Sequence, residues 1–202
     1  MNRKVIGLQG GADEQRLQRA RAGDLGAFNE LVLEHQSLVF NLCLHQLGQR
    51  QAAEDATQEA FVSAWRNLGG LRGPFRPWLL RIAVNACTDE LRRRGRRPST
   101  SLDVALDAGV PEPPDEDPSP ETSLLQGELR REVETALLTL PEEQRLAVIL
   151  SDLQGLEYAE IAAVMKTSLG TVKSRIARGR ARLRQALRPG GELSAAHLRR
   201  EI

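Results

Sequence analysis

The side chains best able to recognise another molecule lie close together near the C-terminal end of the chain. They combine cations with hydroxyls and fall within about two helical turns: Thr171, Lys173, Ser174, Arg175 and Arg178. Lys and Arg pair with phosphates or with guanine O6 and N7, and Thr and Ser donate to phosphate or base. The stretch 166–188 has eight basic residues and no acid. This composition predicts a surface that binds nucleic acid.

The elements that must position these side chains form a predicted helix-turn-helix over residues 156–183. Apolar residues mark the inner faces of its two helices: Ile161, Met165, Val172, Ile176 and Leu183. The turn between them has only three or four residues, which sets two such helices roughly perpendicular. We expect the small Ala162 where the helices cross most closely. The alternative is an amphipathic helix pair with a solvated basic face.

The turn departs from the usual pattern at two positions. Lys166 stands where Gly is usual, because Gly tolerates a left-handed backbone, and Thr167 stands where an apolar residue is common. We therefore expect a turn that differs slightly from the usual one or is strained.

A second basic run, RRRGRR at 92–97, ends a predicted helix that has Pro77 in its first turn and continues to Arg94. Phe75 and Trp78, near its start, are candidates for stacking on unpaired bases, although a core role is the favoured interpretation of Trp78. Two basic runs on separate predicted helices point to nucleic acid at two places, with solvated helix faces as the alternative.

Composition predicts an all-α protein of small modules. The chain has 202 residues with 3% aromatics, and it is rich in Leu, Ala, Arg, Glu and Gln, which are strong helix formers. Residues 98–121 hold six of the ten prolines and seven acids, without a Lys or Arg. Such a segment should be extended and mobile. It joins two predicted helical domains as an acidic, Pro-rich linker.

The resulting domain boundaries are a flexible N-terminus at 1–12, helical domains at 13–97 and 122–188, the linker at 98–121, and a tail at 189–202. Cys43 and Cys87 are too few for a disulfide framework, and we interpret them as buried small hydrophobes. We expect no metal site and no other cofactor. No signal peptide or membrane-length apolar run is evident, so we expect a cytoplasmic protein.

Both halves resemble one family. YAEIAAVMKTSLGTVKSRIARGRARLR (158–184) is similar to region four of extracytoplasmic-function sigma factors of bacterial RNA polymerase, as is LPEEQRLAVILSDLQGLEYAEIA before it. DATQEAFVSAWRNL (55–68) resembles the polymerase-binding helix of region two, and FRPWLLRIAVNACTDELRRRGRR (75–97) resembles the part of region two that meets the minus-ten element. Two motifs in the right order are more specific than a lone helix-turn-helix.

The resemblance implies roles for residues in both halves. In the first half, Asp55, Gln58 and Glu59 would bind the clamp helices of the largest polymerase subunit, and Asn85 would read a flipped base of the melted minus-ten element. Further minus-ten contacts are implied for Phe75, Trp78, Arg81, Arg92, Arg93 and Arg94. In the second half, the five residues of the recognition helix would read the minus-thirty-five element as duplex.

The same resemblance implies partners for the chain. They are core RNA polymerase, contacted at its clamp helices and flap, promoter DNA, and an anti-sigma factor. The linker would run toward the active-site cleft of the polymerase, where its acids mimic nucleic acid. A plain flexible tether is the alternative.

Two other functions remain to be weighed. An autonomous helix-turn-helix regulator would bind operator DNA tightly without polymerase, usually as a dimer. An enzyme such as a resolvase would need an activated nucleophile, whereas Ser37 and Ser63 lie in plain predicted helices without a base nearby. We therefore expect no enzymatic activity.

Overall fold

The computed structural model describes residues 9–96 and 120–187. Within them there are eight α-helices and no strand, so the predicted all-α fold is confirmed. The helices are α1 (Gln9–Arg21), α2 (Leu25–Leu47), α3 (Arg50–Asn67), α4 (Phe75–Arg96), α5 (Pro120–Leu138), α6 (Glu142–Val148), α7 (Tyr158–Val164) and α8 (Leu169–Ala186). The predicted linker and tail lie almost entirely outside the described residues.

The helices belong to two compact units. The first contains α1, α2 as far as Cys43, α3 from Gln51, and α4; the second contains Leu44–Arg50 and α5 to α8. The largest fully buried side chains of the first unit come from α2 and α4: Leu31, Leu42, Leu79 and Leu80. Alanines at 53, 60 and 64 are fully buried on α3, and such small side chains allow close helix packing.

α2 begins just after Asp24, a residue type that favours the N-cap position. Asp24 caps the helix, since its Oδ1 accepts a hydrogen bond from the backbone N–H of Ala27 at 3.0 Å. That bond and the Arg19 guanidinium, which donates to Asp24 at 2.9 Å, lower the pKa of the Asp24 carboxyl. Arg19 thereby ties the end of α1 to the start of α2.

Both cysteines are buried, as the sequence predicted, with Cys43 at 0% and Cys87 at 1% exposure. Cys43 lies on α2 and Cys87 on α4, and neither forms a disulfide. A hydrogen bond with Cys43 and burial both raise the pKa of Cys87. The Cys87 thiol is therefore held in its protonated form and packs as a small apolar group.

The second unit is built around the crossing of α6 and α8. Its core includes Leu137, Leu140 and Val148, with Leu183 packed against them. The two helices approach closely at Gly179, where a Cβ would lie 2.6 Å from Val148 Cγ2. Ala162, predicted to lie where α7 and α8 cross, is half-buried; the approach at Gly179 is a different one, between α6 and α8.

The two ends of α6 differ in backbone geometry. Pro141 is the N-cap, with φ −53° and ψ 139°, and not the first helical residue. After Val148 the helix widens into a π turn over Ile149–Leu153. There the backbone N–H of Gln154 donates to the carbonyl of Ile149, five residues back, at 2.9 Å. This turn points Asp152 toward α8.

Candidate nucleic-acid interface

The start of α8 is fixed by capping. Ser168 is the N-cap, and its Oγ accepts a hydrogen bond from the backbone N–H of Thr171 at 3.2 Å. The same Oγ lies 2.9 Å from Thr171 Oγ1. Because Ser168 satisfies one terminal N–H, the first turn of α8 is well defined, and the remaining terminal N–H groups supply a partial positive charge for an anion.

The turn before α8 has a left-handed residue at Lys166, the position where the sequence pattern usually has Gly. Lys166 has a φ of 50°. The backbone N–H of Thr167 donates to the carbonyl of Ala162 at 3.0 Å, and that of Met165 donates to Ile161 at 2.8 Å. The bond from Thr167 spans six residues, as in the Schellman motif that commonly ends helices at a left-handed residue. The expected strain therefore falls on Lys166.

The five residues predicted on the recognition helix do not share one environment. Lys173 and Arg178 are exposed, whereas Thr171 and Ser174 are half-buried. Ser174 Oγ donates to the carbonyl of Thr171 at 2.9 Å. Arg175 differs most, because its side chain is only 18% exposed and its Nη2 donates to the carboxylate of Glu143 on α6.

A further arginine of α8 is bound in the same way. Arg180 Nε and Nη2 donate to the two oxygens of Asp152 at 2.9 and 2.5 Å, and Nη2 lies 3.3 Å from Ser151 Oγ. The hydrogen bond from Arg180 is the main reason that the pKa of Asp152 is lowered. Arg180 belongs to the basic run that is evident in the sequence, but its partner was not predicted, although Asp152 near the end of the helical segment that begins with α6 was an available signal.

The first unit has an open groove between α3 and α4 with a volume of about 390 Å³. Polar side chains at four-residue spacing line both walls, which places them along one face of each helix. The α3 wall has Glu59, Ser63 and Asn67, and the α4 wall has Arg81, Asn85 and Asp89. The groove therefore offers hydrogen-bond donors and acceptors along its whole length, a chemistry that suits a nucleobase.

The groove brings together residues that the resemblance had assigned to different tasks. Arg81 and Asn85 were predicted to contact the minus-ten element, and Glu59 was predicted to bind polymerase. All three line the groove. Asp55, Gln58 and Glu59 are exposed along one face of α3. Ser63, Asn67 and Asp89 were missed, although their spacing from Glu59 and Asn85 is visible in the sequence.

The basic run at the end of α4 has acidic neighbours on the same helix. Arg92 lies 3.6 Å from Asp89, while Arg93 and Arg94 lie 2.6 and 2.9 Å from Glu90. Arg92 and Arg93 are 70% and 67% exposed. Pairs within an exposed helix are weak, so these arginines can exchange a carboxylate for a phosphate.

Phe75 and Trp78 are core residues in this structure. They are 4% and 8% exposed. Phe75 packs edge-on against His35 with ring centroids 5.1 Å apart, and its centroid is 5.9 Å from that of Trp78. Both rings are largely covered by the protein, which fits the core role favoured for Trp78; stacking of either ring on a base stays a prediction. Trp78 contributes only to the lining of the groove.

Across residues 9–96 and 120–187, no three His, Cys, Asp or Glu side chains are grouped so that they could hold a metal ion. Among the described helices, none is both long and apolar enough to cross a membrane.

Comparison with known proteins decides the family. The model for sigma-70 region 2 matches residues 31–97, and that for sigma-70, region 4 matches residues 130–183. The chain is 39% identical to the ECF RNA polymerase sigma-E factor of Escherichia coli (strain K12) over 182 residues, which cover 88% of this chain and 95% of that one. The chain belongs to the ECF RNA polymerase sigma factors.

Other relatives agree with this assignment. The RNA polymerase sigma-H factor of Pseudomonas aeruginosa is 40% identical over 182 residues, which cover 88% of this sigma factor and 94% of the relative. Among solved structures, the sigma factor RpoE in complex with the anti-sigma factor NepR from Bartonella quintana has a TM-score of 0.62 at 27% identity, covering 79% of this chain and 96% of that one. CnrH in complex with the cytosolic domain of CnrY has a TM-score of 0.60 at 27% identity, covering 85% and 94%.

The protein is thus an alternative sigma factor, which directs promoter-specific transcription and is not an enzyme. Sigma factors bind core RNA polymerase and promoter DNA. The comparisons give no support to the autonomous regulator.

Proposed function

We propose that the two units of this sigma factor divide the promoter between them. Residues 13–97 bind core polymerase and capture the melted minus-ten element, residues 122–188 read the minus-thirty-five element as duplex, and the linker at 98–121 sets their separation. The observation that carries this proposal is the presence of a distinct polar surface on each unit. One is a groove lined by amides and Arg81, and the other is a capped helix with exposed cations.

The groove favours an unpaired base over a duplex. Asn85 can donate to and accept from a base edge, and Arg81 on the same wall can bind the adjoining phosphate. The arginines at 92–94 extend the cationic surface along α4. Because the groove takes a base that has left the stack, binding shifts the equilibrium toward open DNA.

The recognition helix suits the major groove, which admits an α-helix. Thr171, Lys173, Ser174, Arg175 and Arg178 remain our candidates for the minus-thirty-five contacts. Lys173 and Arg178 are the exposed cations of this set, and they are the best placed to reach base edges and phosphates.

Polymerase contacts are assigned to the exposed face of α3. Asp55, Gln58 and Glu59 follow one another at helical spacing and are exposed, so a clamp-helix surface can reach all three. Leucines of the helices between 140 and 153 are candidates for the flap. The acids of the linker would enter the polymerase cleft in place of nucleic acid.

An anti-sigma factor completes the proposed set of partners. One solved relative is a complex of the sigma factor RpoE with the anti-sigma factor NepR. Regulation by such a partner would act in the cytoplasm, where polymerase is found, by covering the surfaces that polymerase needs.

Run-off transcription from a library of bipartite promoters tests whether the two units read different promoter elements. We expect transcripts from discrete sites only when this protein and core polymerase are both present, with separate sequence preferences at the minus-ten and minus-thirty-five positions. Arg178→Ala should weaken the minus-thirty-five preference alone, and Asn85→Ala the minus-ten preference alone. Loss of both preferences in either variant would contradict the proposed division.

A further inference from the structure

Two arginines of α8 are bound to acids of the helical segment that runs from α6 through the π turn. Arg175 pairs with Glu143 in the first turn of α6. Arg180 pairs through two nitrogens with Asp152 in the π turn, at 2.9 and 2.5 Å. We call these two ion pairs the flank pairs. They join α8 to the two ends of one continuous helical segment.

The flank pairs lie on opposite sides of the buried stripe of α8. Val172, Ile176 and Gly179 form that stripe and are all buried. At about 100° per residue, Arg175 lies roughly 70° to one side of its centre and Arg180 roughly 70° to the other. Ser174 and Arg178 point more than about 120° away from the centre, toward the free face of the helix. A helix held on both sides of its packing stripe resists rolling about its own axis.

We propose that Glu143 and Asp152 are positioning residues for promoter recognition. Through Arg175 and Arg180 they fix the rotation of α8 about its own axis. That rotation presents Ser174 and Arg178 to the minus-thirty-five element. This rests on the proposed reading of that element by α8. It also reassigns Arg175, whose role becomes orientation of the helix and not direct contact with a base.

The chemistry favours this role over direct contact for both arginines. A guanidinium that gives two parallel hydrogen bonds to a carboxylate has a fixed geometry, and that of Arg180 is engaged in this way. Arg175 is 18% exposed, so binding to a base would require it to leave Glu143 and to swing outward. Acids beside a DNA-binding helix oppose the approach of phosphates, so their presence here has a physical reason if they orient the helix.

The distinguishing experiment compares paired substitutions in transcription by the full-length protein with core polymerase. The readout is the ratio of run-off transcription from promoters with a strong and with a scrambled minus-thirty-five element. We expect Glu143→Gln, Arg175→Gln and the double variant to lower that ratio by a similar factor, roughly fivefold, because each breaks the same pair. Asp152→Asn and Arg180→Gln should behave likewise.

A charge swap separates orientation from contact. In Glu143→Arg with Arg175→Glu the pair is rebuilt with its charges exchanged, and we expect most of the ratio to return. If Arg175 touches the DNA, the charge-swapped protein stays as defective as Arg175→Gln. In that case Glu143→Gln alone has no effect. That outcome overturns the proposal. Glu142→Gln is the matched control, since it removes the same charge from the same turn but acts on Arg145 of its own helix.

One further variant separates this inference from the function on which it rests. Arg178→Ala should lower the ratio whether or not the flank pairs matter. If Arg178→Ala lowers it while the flank-pair variants do not, the inference fails and minus-thirty-five reading by α8 stands. If Arg178→Ala and the flank-pair variants all leave the ratio unchanged, the proposed reading itself fails, and the inference with it.

Discussion

At the residue scale, Lys166 adopts a conformation that costs a side chain with a Cβ. Its φ is 50°, and the left-handed region costs such a residue about 1–2 kcal/mol. Glycine avoids that cost but loses about 0.5–1 kcal/mol more chain entropy on folding. We therefore expect Lys166→Gly to stabilise the α7–α8 turn by about 0.5–1 kcal/mol.

Amide hydrogen exchange of α7 and α8 in the full-length protein measures this effect, since it reports local opening free energies. Lys166→Ala is the matched control because it removes the charge and keeps the Cβ. Equal protection in both variants would show that the gain came from the side chain and not from the backbone.

Asn85 gives the second residue-scale prediction. Its amide lies in the groove with Arg81, so Asn85→Ala removes hydrogen bonds that only the unpaired base would make. We expect promoter opening, measured by permanganate reactivity of minus-ten thymines, to fall about tenfold, as for loss of a good base contact. Affinity for core polymerase, measured by fluorescence anisotropy, should change less than twofold, as expected for a residue outside that interface.

Asp55→Ala is the reciprocal variant, because Asp55 is exposed on α3 and is absent from the groove lining. Asp55→Ala should weaken the affinity for core polymerase more than it weakens promoter opening. Parallel losses of opening and polymerase binding in Asn85→Ala would refute its role in base capture.

Residue types indicate which side chains are candidates for a site, but not which other side chains they pair with in the fold. The cation at 175 was evident, but its ion pair with Glu143 depends on how α6 crosses α8, a contact between residues 32 positions apart. Phe75 and Trp78 show the same difficulty. An aromatic side chain suits both a stacked base and a core, and only the packing against His35 and the burial of both rings distinguish the two.

At the element scale, the crossing of α6 and α8 makes a strong prediction for Gly179. A Cβ there would lie 2.6 Å from Val148 Cγ2 and 3.2 Å from the carbonyl oxygen of Gln144. Valine is stiff at χ1 and the carbonyl belongs to a helix, so neither can yield easily. We expect Gly179→Ala to destabilise the second unit by about 1–3 kcal/mol despite the better helix propensity of Ala.

Gly170→Ala is the matched control in the same helix. A Cβ at Gly170 would meet only Ser168 Oγ, at 3.9 Å, so the propensity gain of Ala should appear without a clash. Hydrogen exchange of α6 and α8 should therefore rise in Gly179→Ala and fall or stay level in Gly170→Ala. A more protected Gly179→Ala protein would mean that the two helices can separate without cost.

Helices were largely predictable from apolar spacing and capping residues, and their irregularities were not. Asp24 identified the start of α2 because an N-cap is a local interaction. The π turn at Ile149–Leu153 has no local signal of this kind. It forms where Gln154 bonds five residues back, beside the pair between Asp152 and Arg180, and such packing is not visible in the spacing of apolar residues.

At the scale of the whole molecule, the sequence predicted two modules because the residues between 98 and 121 include six prolines and seven acids, a composition unfavourable to a helix. The roles proposed for this segment depend on its length and on its charge. Each of these can be changed separately.

Lengthening the linker tests its role as a tether. Two weak contacts joined by a flexible chain add through effective concentration, and doubling a flexible loop costs only about 0.6 kcal/mol, which is roughly threefold. We therefore expect a Gly/Ser insertion that doubles residues 98–121 to lower run-off transcription from a bipartite promoter by about threefold at limiting sigma factor.

Replacing the seven acids by their amides keeps the length, and we expect it to lower transcription by more, because the proposed cleft contacts need the charge. If the neutralised linker performs as well as the native one while the longer linker loses threefold, the segment is a plain tether, and its acids have no part in initiation.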